Sequence, residues 1–214
     1  MESAASPSCW AIVAMTFVSM LSNDRAHGQP AVAVAPVARD TVVVDQQGHH
    51  YAVKTMQDGL QWMTVNLQTV LPGSFCYDDA AAQCARYGRL YTWKEAGAGC
   101  ALLGSDWRLP TAAEWQRLTL LQGRFSGDTM AARRLAFQQL MTGGAAGFEA
   151  VLGGGRAPEG GYARGEAHGF YWTSTSLDSS MAYYGNFAKG SKALYLQTDG
   201  EKEEALSVRC VRGK

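Results

Sequence analysis

Cysteine placement constrains this chain more than any other feature. Five cysteines occur in 214 residues. Cys9 opens an uncharged apolar run, "CWAIVAMTFVSML", and the other four, Cys76, Cys84, Cys100 and Cys210, lie beyond it. Such a run is the pattern of a secretory signal, and its 13 residues are too few to span a bilayer comfortably. The leading "MESAASPS" departs from that pattern, with Glu2 and no Lys or Arg. The expected division is a signal peptide over 1–27, a Pro/Ala-rich linker over 28–40 ("GQPAVAVAPVARD") and a folded domain over 41–214. Removal of the leader leaves an even cysteine count, which in an exported domain favours two disulfides, with three pairings open. The favoured pairing is Cys76–Cys84, closing a short local loop, and Cys100–Cys210, tying the middle of the chain to its last strand. No C-x-x-C pair is present, against a zinc ribbon or a thioredoxin-like site.

Charge narrows the partners. Lys plus Arg equals Asp plus Glu, 19 each, so the chain lacks the basic footprint of a nucleic-acid or anionic-membrane binder. With 47% hydrophobic and 18% charged residues it can fill a core. Residues 143–169 hold ten glycines in 27, which no single regular element accommodates. Loops with a short strand at "FEAVLGG" are expected there.

The remaining pattern reads as α+β. "TVVVDQQGHHYAVKTM" and "LQWMTVNL" suggest an opening three-stranded meander, and "DDAAAQCARYG" a short helix ending at Gly88. "TWKEAGAGCALLG" suggests another short helix. In "DWRLPTAAEWQRL", Thr111 stands three residues before Glu114, the spacing of a capping box. Trp115, Leu118 and Leu121 or Gln122 then share one face of a helix ending at Gly123. "DTMAARRLAFQQLMTGG" gives a second amphipathic helix. The C-terminal third is β-rich ("FYWTSTS", "MAYYGNFA", "KALYLQTD", "ALSVRCVR"), with "TDGEKEE" as a polar hairpin between the last two runs.

Several blocks occur in a telling order: "GHHYAVKTMQDGLQWMTVNL", "CYDDAAAQCARYGRLYTW", "GSDWRLPTAAEWQRL", "FYWTSTS" and "SVRCVR". Together they resemble the Fibrobacter succinogenes major paralogous domain, a family of exported bacterial proteins, over about Asp45 to Arg212. The W-R-L-P-T-x-x-E-W segment alone is shared with the formylglycine-generating, sulfatase-modifying family. The resemblance implies a C-type-lectin-like architecture, with N- and C-terminal strands paired, two main helices and a long glycine-rich loop region. Trp62, Trp93, Trp107, Trp115 and Trp172 belong to the family signature and are expected in the core. One departure concerns Cys100: the usual C-P-x-G-W is replaced by "CALLGSDW".

Three functions compete. Calcium-dependent sugar binding needs six to eight oxygens from a carboxylate–proline loop and a W-N-D strand. The chain offers only "APEG" with Glu159, and Asp178, so no metal site is expected. Formylglycine-type oxidation needs two redox cysteines near the C-terminus, and only Cys210 lies there. "HH" (His49–His50) and "GGG" (Gly153–Gly155) lack the flanking residues of a metal or phosphate site. A non-catalytic module that binds a surface glycan or protein, without cofactor, fits best. Its candidate contacts are Tyr162, Tyr183, Tyr184 and Tyr195, aromatic faces in the loop-rich C-terminal half, although alternating strand aromatics also serve as core. Arg108 and Glu114 are expected to make a local polar contact, and Thr111 and Glu114 a structural cap.

Overall fold

The computed structural model describes residues 41–124 and 127–213; the expected signal peptide and linker lie outside the described residues. The domain is α+β. Its elements are β1 (Thr41–Val44), β2 (His50–Thr55), β3 (Gln61–Met63), β4 (Ser74–Phe75), α1 (Ala81–Tyr87), β5 (Leu90–Tyr91), α2 (Trp93–Ala101), α3 (Ala112–Gly123) and α4 (Met130–Leu140). The C-terminal third adds β6 (Gly155–Arg156), β7 (Tyr162–Ala163), β8 (His168–Ser176), β9 (Met181–Ala188), β10 (Ala193–Glu201), β11 (Leu206–Ser207) and β12 (Val211–Arg212).

The opening meander forms as expected and continues, in the order β1-β2-β3-β12, into the last strand, so the chain's two β-rich ends pair. A six-stranded sheet runs β10-β9-β8-β11-β5-β4. Here the expected hairpin at residues 198–204 is overturned. β10 and β11 are not neighbours: β11 pairs in parallel with β8 and antiparallel with β5. Residues 198–201 complete β10, and the chain then crosses over from Lys202, whose N–H donates to the Ser180 carbonyl (2.8 Å). "ALSVRCVR" likewise splits into two strands in two sheets. "FEAVLGG" forms no strand; the short ladder is β6 with β7, where alternation brings Arg156 opposite Tyr162.

Among the described residues the two short helices expected, α1 and α2, form as well as the two longer ones, α3 and α4. α3 carries the full capping box: the Glu114 N–H donates to Thr111 Oγ1 (3.1 Å), and the Thr111 N–H donates to Glu114 Oε2 (2.7 Å). Arg108 clamps the same carboxylate at 2.6 and 2.8 Å. Of the two residues the spacing left open on its inner face, Gln122 is the buried one. α4 buries Ala132, Ala136 and Leu140, while Met130 stays exposed. α3 approaches it closely: a Cβ on Gly123 would stand 2.7 Å from the Ala132 carbonyl oxygen. Gly88 serves similarly at the end of α1, with φ +75° and room for no side chain beside Asn66.

The core lies on both faces of the long sheet. One cluster joins Trp172, Tyr91, Trp107 and Cys100 to the meander; the other joins Trp62, Trp115, Phe148, Tyr171 and Phe187 beneath α3 and α4. Trp62 and Trp115 meet edge to face at 5.1 Å, and losing either ring would cost about 3–5 kcal/mol. Trp93 departs from expectation. It is only partly buried, because its Nε1 donates to the Thr173 carbonyl while Lys202 covers its ring at 4.5 Å. Disulfides join Cys76 to Cys84 and Cys100 to Cys210.

Two polar centres pin the irregular stretches. Asp45 is buried and accepts from Gln47 N, His49 N, Tyr51 Oη and Thr69 Oγ1. Burial alone would raise its pKa; the hydrogen bonds from Thr69, Tyr51 and His49 outweigh it and hold the carboxyl well below the usual range. Arg209 is 1% exposed and donates to the carbonyls of Met63, Phe148 and Glu149 and to Asn66 Oδ1.

Candidate functional site

Strand alternation decides which side chains meet on the outer part of the long sheet. Tyr184 stands opposite Trp172, and Asn186 opposite Phe170 and Tyr195. Residues two apart share a face and neighbours do not, so Phe170 and Tyr184 start from one face and Tyr183 from the other. Phe170 and Tyr184 meet edge to face with centroids 5.7 Å apart. His168 stacks on Phe170 at 5.2 Å and donates from Nδ1 to Asn186 Oδ1, and Asn186 Nδ2 donates to Gln197 Oε1.

Beside these aromatics is a pocket of about 190 Å³. It is lined by Phe170, Tyr184 and Leu206 from the long sheet, by Glu204 from the crossover that leads into β11, and by the β6–β7 ladder with Arg164 just after it. The ladder is docked by Arg156, whose N–H and carbonyl bond Ala205 at 2.9 and 2.8 Å. Arg156 and Tyr162 share the ladder's far face: the guanidinium lies 4.0 Å over the Phe75 ring and 5.8 Å from the Tyr162 centroid. Gly155 therefore faces Leu206 and Phe170, where a Cβ would stand 3.0 and 3.4 Å from their side chains.

The pocket holds one poorly compensated carboxylate. Burial, then the nearby charges of Glu201, Asp199 and Glu159, push the Glu204 carboxyl up to about 6. Tyr184 donates to Asp199 Oδ1 (3.1 Å), and burial with that carboxylate raises its phenol, so the hydroxyl stays protonated at neutral pH.

The four candidate tyrosines are all partly buried, and they are not brought together. Tyr184 lines the pocket. Tyr162 is tied to Asp79 Oδ1 (2.5 Å) and packs against Tyr77. Tyr195 lies under Arg133 of α4, 5.3 Å from its ring. Tyr183 points away from Tyr184. Sequence reasoning missed Phe170, Gly155 and Glu204. The period of two in "FYWTSTS" places Phe170 with Trp172, but Glu204 sits in an acidic run that reads as solvated. Of the two acidic residues weighed as calcium ligands, Asp178 caps its own hairpin through Ser180 and Met181, and Glu159 is exposed near Glu204. Among the described residues no group of three or more His, Cys, Asp or Glu is placed to hold a metal ion.

The order of the blocks, the paired ends and the two disulfides can now be set beside known families. The model of the Fibrobacter succinogenes major domain matches residues 51–212. The chain belongs to this family. No curated protein and no solved structure matches it. In this Fibrobacter succinogenes major domain the matched segment runs from β2 to β12. It takes in both disulfides, the Arg209 centre and every wall of the pocket. Among the described residues no helix is long and apolar enough to cross a membrane.

Proposed function

We propose that this Fibrobacter succinogenes major domain is an exported, non-catalytic binding module with a C-type-lectin-like architecture, meeting a ligand or partner at the cell surface or in the periplasm. The observation that carries this reading is the pocket, where Phe170 and Tyr184 present aromatic walls beside the under-compensated Glu204. Two disulfides support an oxidising compartment. Pairing of the chain's ends around the helices supports the lectin-like arrangement. Against formylglycine-type oxidation stands the engagement of Cys210 with Cys100, which leaves neither as a thiolate.

A purely structural role is the second reading, favoured by the dispersal of the tyrosines and by hydroxyls already bonded to Asp79 and Asp199. Binding of the disulfide-bonded protein to defined polysaccharides, cell-wall fractions and envelope proteins, with and without a calcium chelator, separates the two. Saturable, chelator-insensitive binding supports the module; chelator-sensitive binding moves it to a calcium lectin; silence across the panel leaves the structural role.

A further inference from the structure

We infer that the pocket beside Phe170 and Tyr184 receives a basic side chain from a partner protein, an alkylammonium or guanidinium on an apolar stem, with Glu204 as its counter-ion. This rests on the reading of the chain as a binding module and names the chemistry of its ligand.

Size comes first. A cavity of about 150 Å³ accepts a single benzene ring, so about 190 Å³ takes one side chain rather than an extended ligand. The lining then selects the kind. Leu206, Ala157, Ala163 and Gly155 give an apolar lining for a hydrocarbon stem. Phe170 and Tyr184 meet nearly perpendicular, at 77°, and offer aromatic surface that attracts a cation.

Charge fixes the sign. Glu204 forms no ion pair among the described residues; the Glu201 backbone gives its carboxylate one partial hydrogen bond, and the nearby charges of Glu201, Asp199 and Glu159 are all negative. Two arginines also line the pocket, and neither forms an ion pair with Glu204. Arg156 turns its guanidinium to Phe75 on the far side of the ladder, and Arg164 is exposed and forms no ion pair with Glu204. A cation entering beside Glu204 relieves repulsion that the folded protein otherwise tolerates. Asp199, Glu201 and Glu159 are all solvent-exposed, so the negative surface continues outside a pocket only one side chain deep. That extension suits a basic segment of a protein surface better than a free amine.

The test uses the intact disulfide-bonded protein. Nα-acetyl-lysine amide, its neutral analogue Nα-acetyl-norleucine amide, butylammonium and a lysine-containing pentapeptide are titrated by NMR, following the Phe170 and Tyr184 resonances. The expected result is saturable shifts with the lysine amide, binding at least tenfold weaker for norleucine, and the pentapeptide tighter than butylammonium. With Glu204 titrating near 6, about one-tenth is ionised at pH 5, so binding should be about tenfold weaker there than at pH 7.5. Asp199, Glu201, Glu159, Arg164, Arg156, Tyr184 and His168 also face or flank the pocket, so Glu204→Gln isolates Glu204. That variant, with its thermal midpoint retained, should lose tenfold at pH 7.5 and lose the pH dependence.

Equal binding of norleucine, or an unaffected and folded Glu204→Gln, overturns the inference. Butylammonium binding as tightly as the pentapeptide assigns the pocket to free amines and overturns the protein partner. If the lysine probes fail while envelope binding persists, this inference falls and the binding module stands. If the probes bind through Glu204 while the panel is silent, the pocket stands and the envelope ligand falls.

Discussion

Arg209 donates from Nη1 to the Phe148 carbonyl oxygen at 2.8 Å, and its guanidinium carbon also lies 4.9 Å from the centroid of the Phe148 ring. One residue therefore satisfies the backbone of the glycine-rich segment and packs on its only phenylalanine. No carboxylate touches the guanidinium; three carbonyls, Asn66 and two aromatic faces meet it, and the Glu149 charge nearby favours its protonated form. Burial lowers the Arg209 pKa, yet an arginine stays protonated because its ordinary value is so high.

Truncating this pin should be severe. Arg209→Ala leaves the carbonyls of Met63, Phe148 and Glu149 without their donor in a closed interior, at about 1–3 kcal/mol for each group left unpaired. Loss of at least about 3 kcal/mol is expected from urea midpoints, and Arg209→Lys should not restore it, because one ammonium cannot span the same acceptors.

The two disulfides should differ in worth. Their sequence separations are 8 and 110, which the chain-entropy relation converts to about 2.5 and about 4.8 kcal/mol. The Cys100→Ala/Cys210→Ala double variant should therefore lose about twice as much stability as Cys76→Ala/Cys84→Ala. Chemical denaturation of both checks the ratio.

On the acid side, Asp45 should dominate. Its folded pKa is depressed, so its stabilising contribution is complete above its unfolded value near 4 and is lost as pH falls through the folded value. Asp45→Asn should lower stability at pH 7 and flatten the slope of stability against pH below about 4. A slope unchanged in the variant would place acid sensitivity elsewhere.

Glu204 has the opposite sign. Its folded pKa is raised to about 6, so the folded state holds the extra proton between its unfolded value and 6. Stability is higher below that window and falls as pH rises through it. Glu204→Gln should thus stabilise the protein at pH 7, by about 0.5–1 kcal/mol after allowing for solvent screening of a half-exposed group. The gain should vanish below pH 4.5. A variant that is more stable and binds less is the signature of a group kept for recognition.

Local features of this fold were legible in the sequence, and remote ones were not. The α3 cap was readable because Thr111 and Glu114 interact within one turn. The disulfide partners were few enough to rank. The meander followed from alternation around Gly48. By contrast, Arg209 reaches acceptors 60 to 146 residues away, and nothing in "SVRCVR" distinguishes a buried arginine from a solvated one. The segment at 198–204 has the composition of a hairpin, but the partners of β11 are β8 and β5, fixed by the core around Tyr171 and not by the turn. The pocket was illegible for the same reason. Phe170 and Tyr184 become neighbours only through strand register, and Glu204 gains its burial from the ladder docked at Ala205.

The most direct test of the binding module is quantitative binding of the intact protein across the panel of polysaccharides, cell-wall fractions and envelope proteins, repeated with Phe170→Ala and Tyr184→Ala. The account predicts saturable binding to at least one component, insensitive to chelator and at least tenfold weaker in both variants while their near-UV spectra stay native. Silence of the parent protein, or binding that both folded variants retain in full, would contradict it.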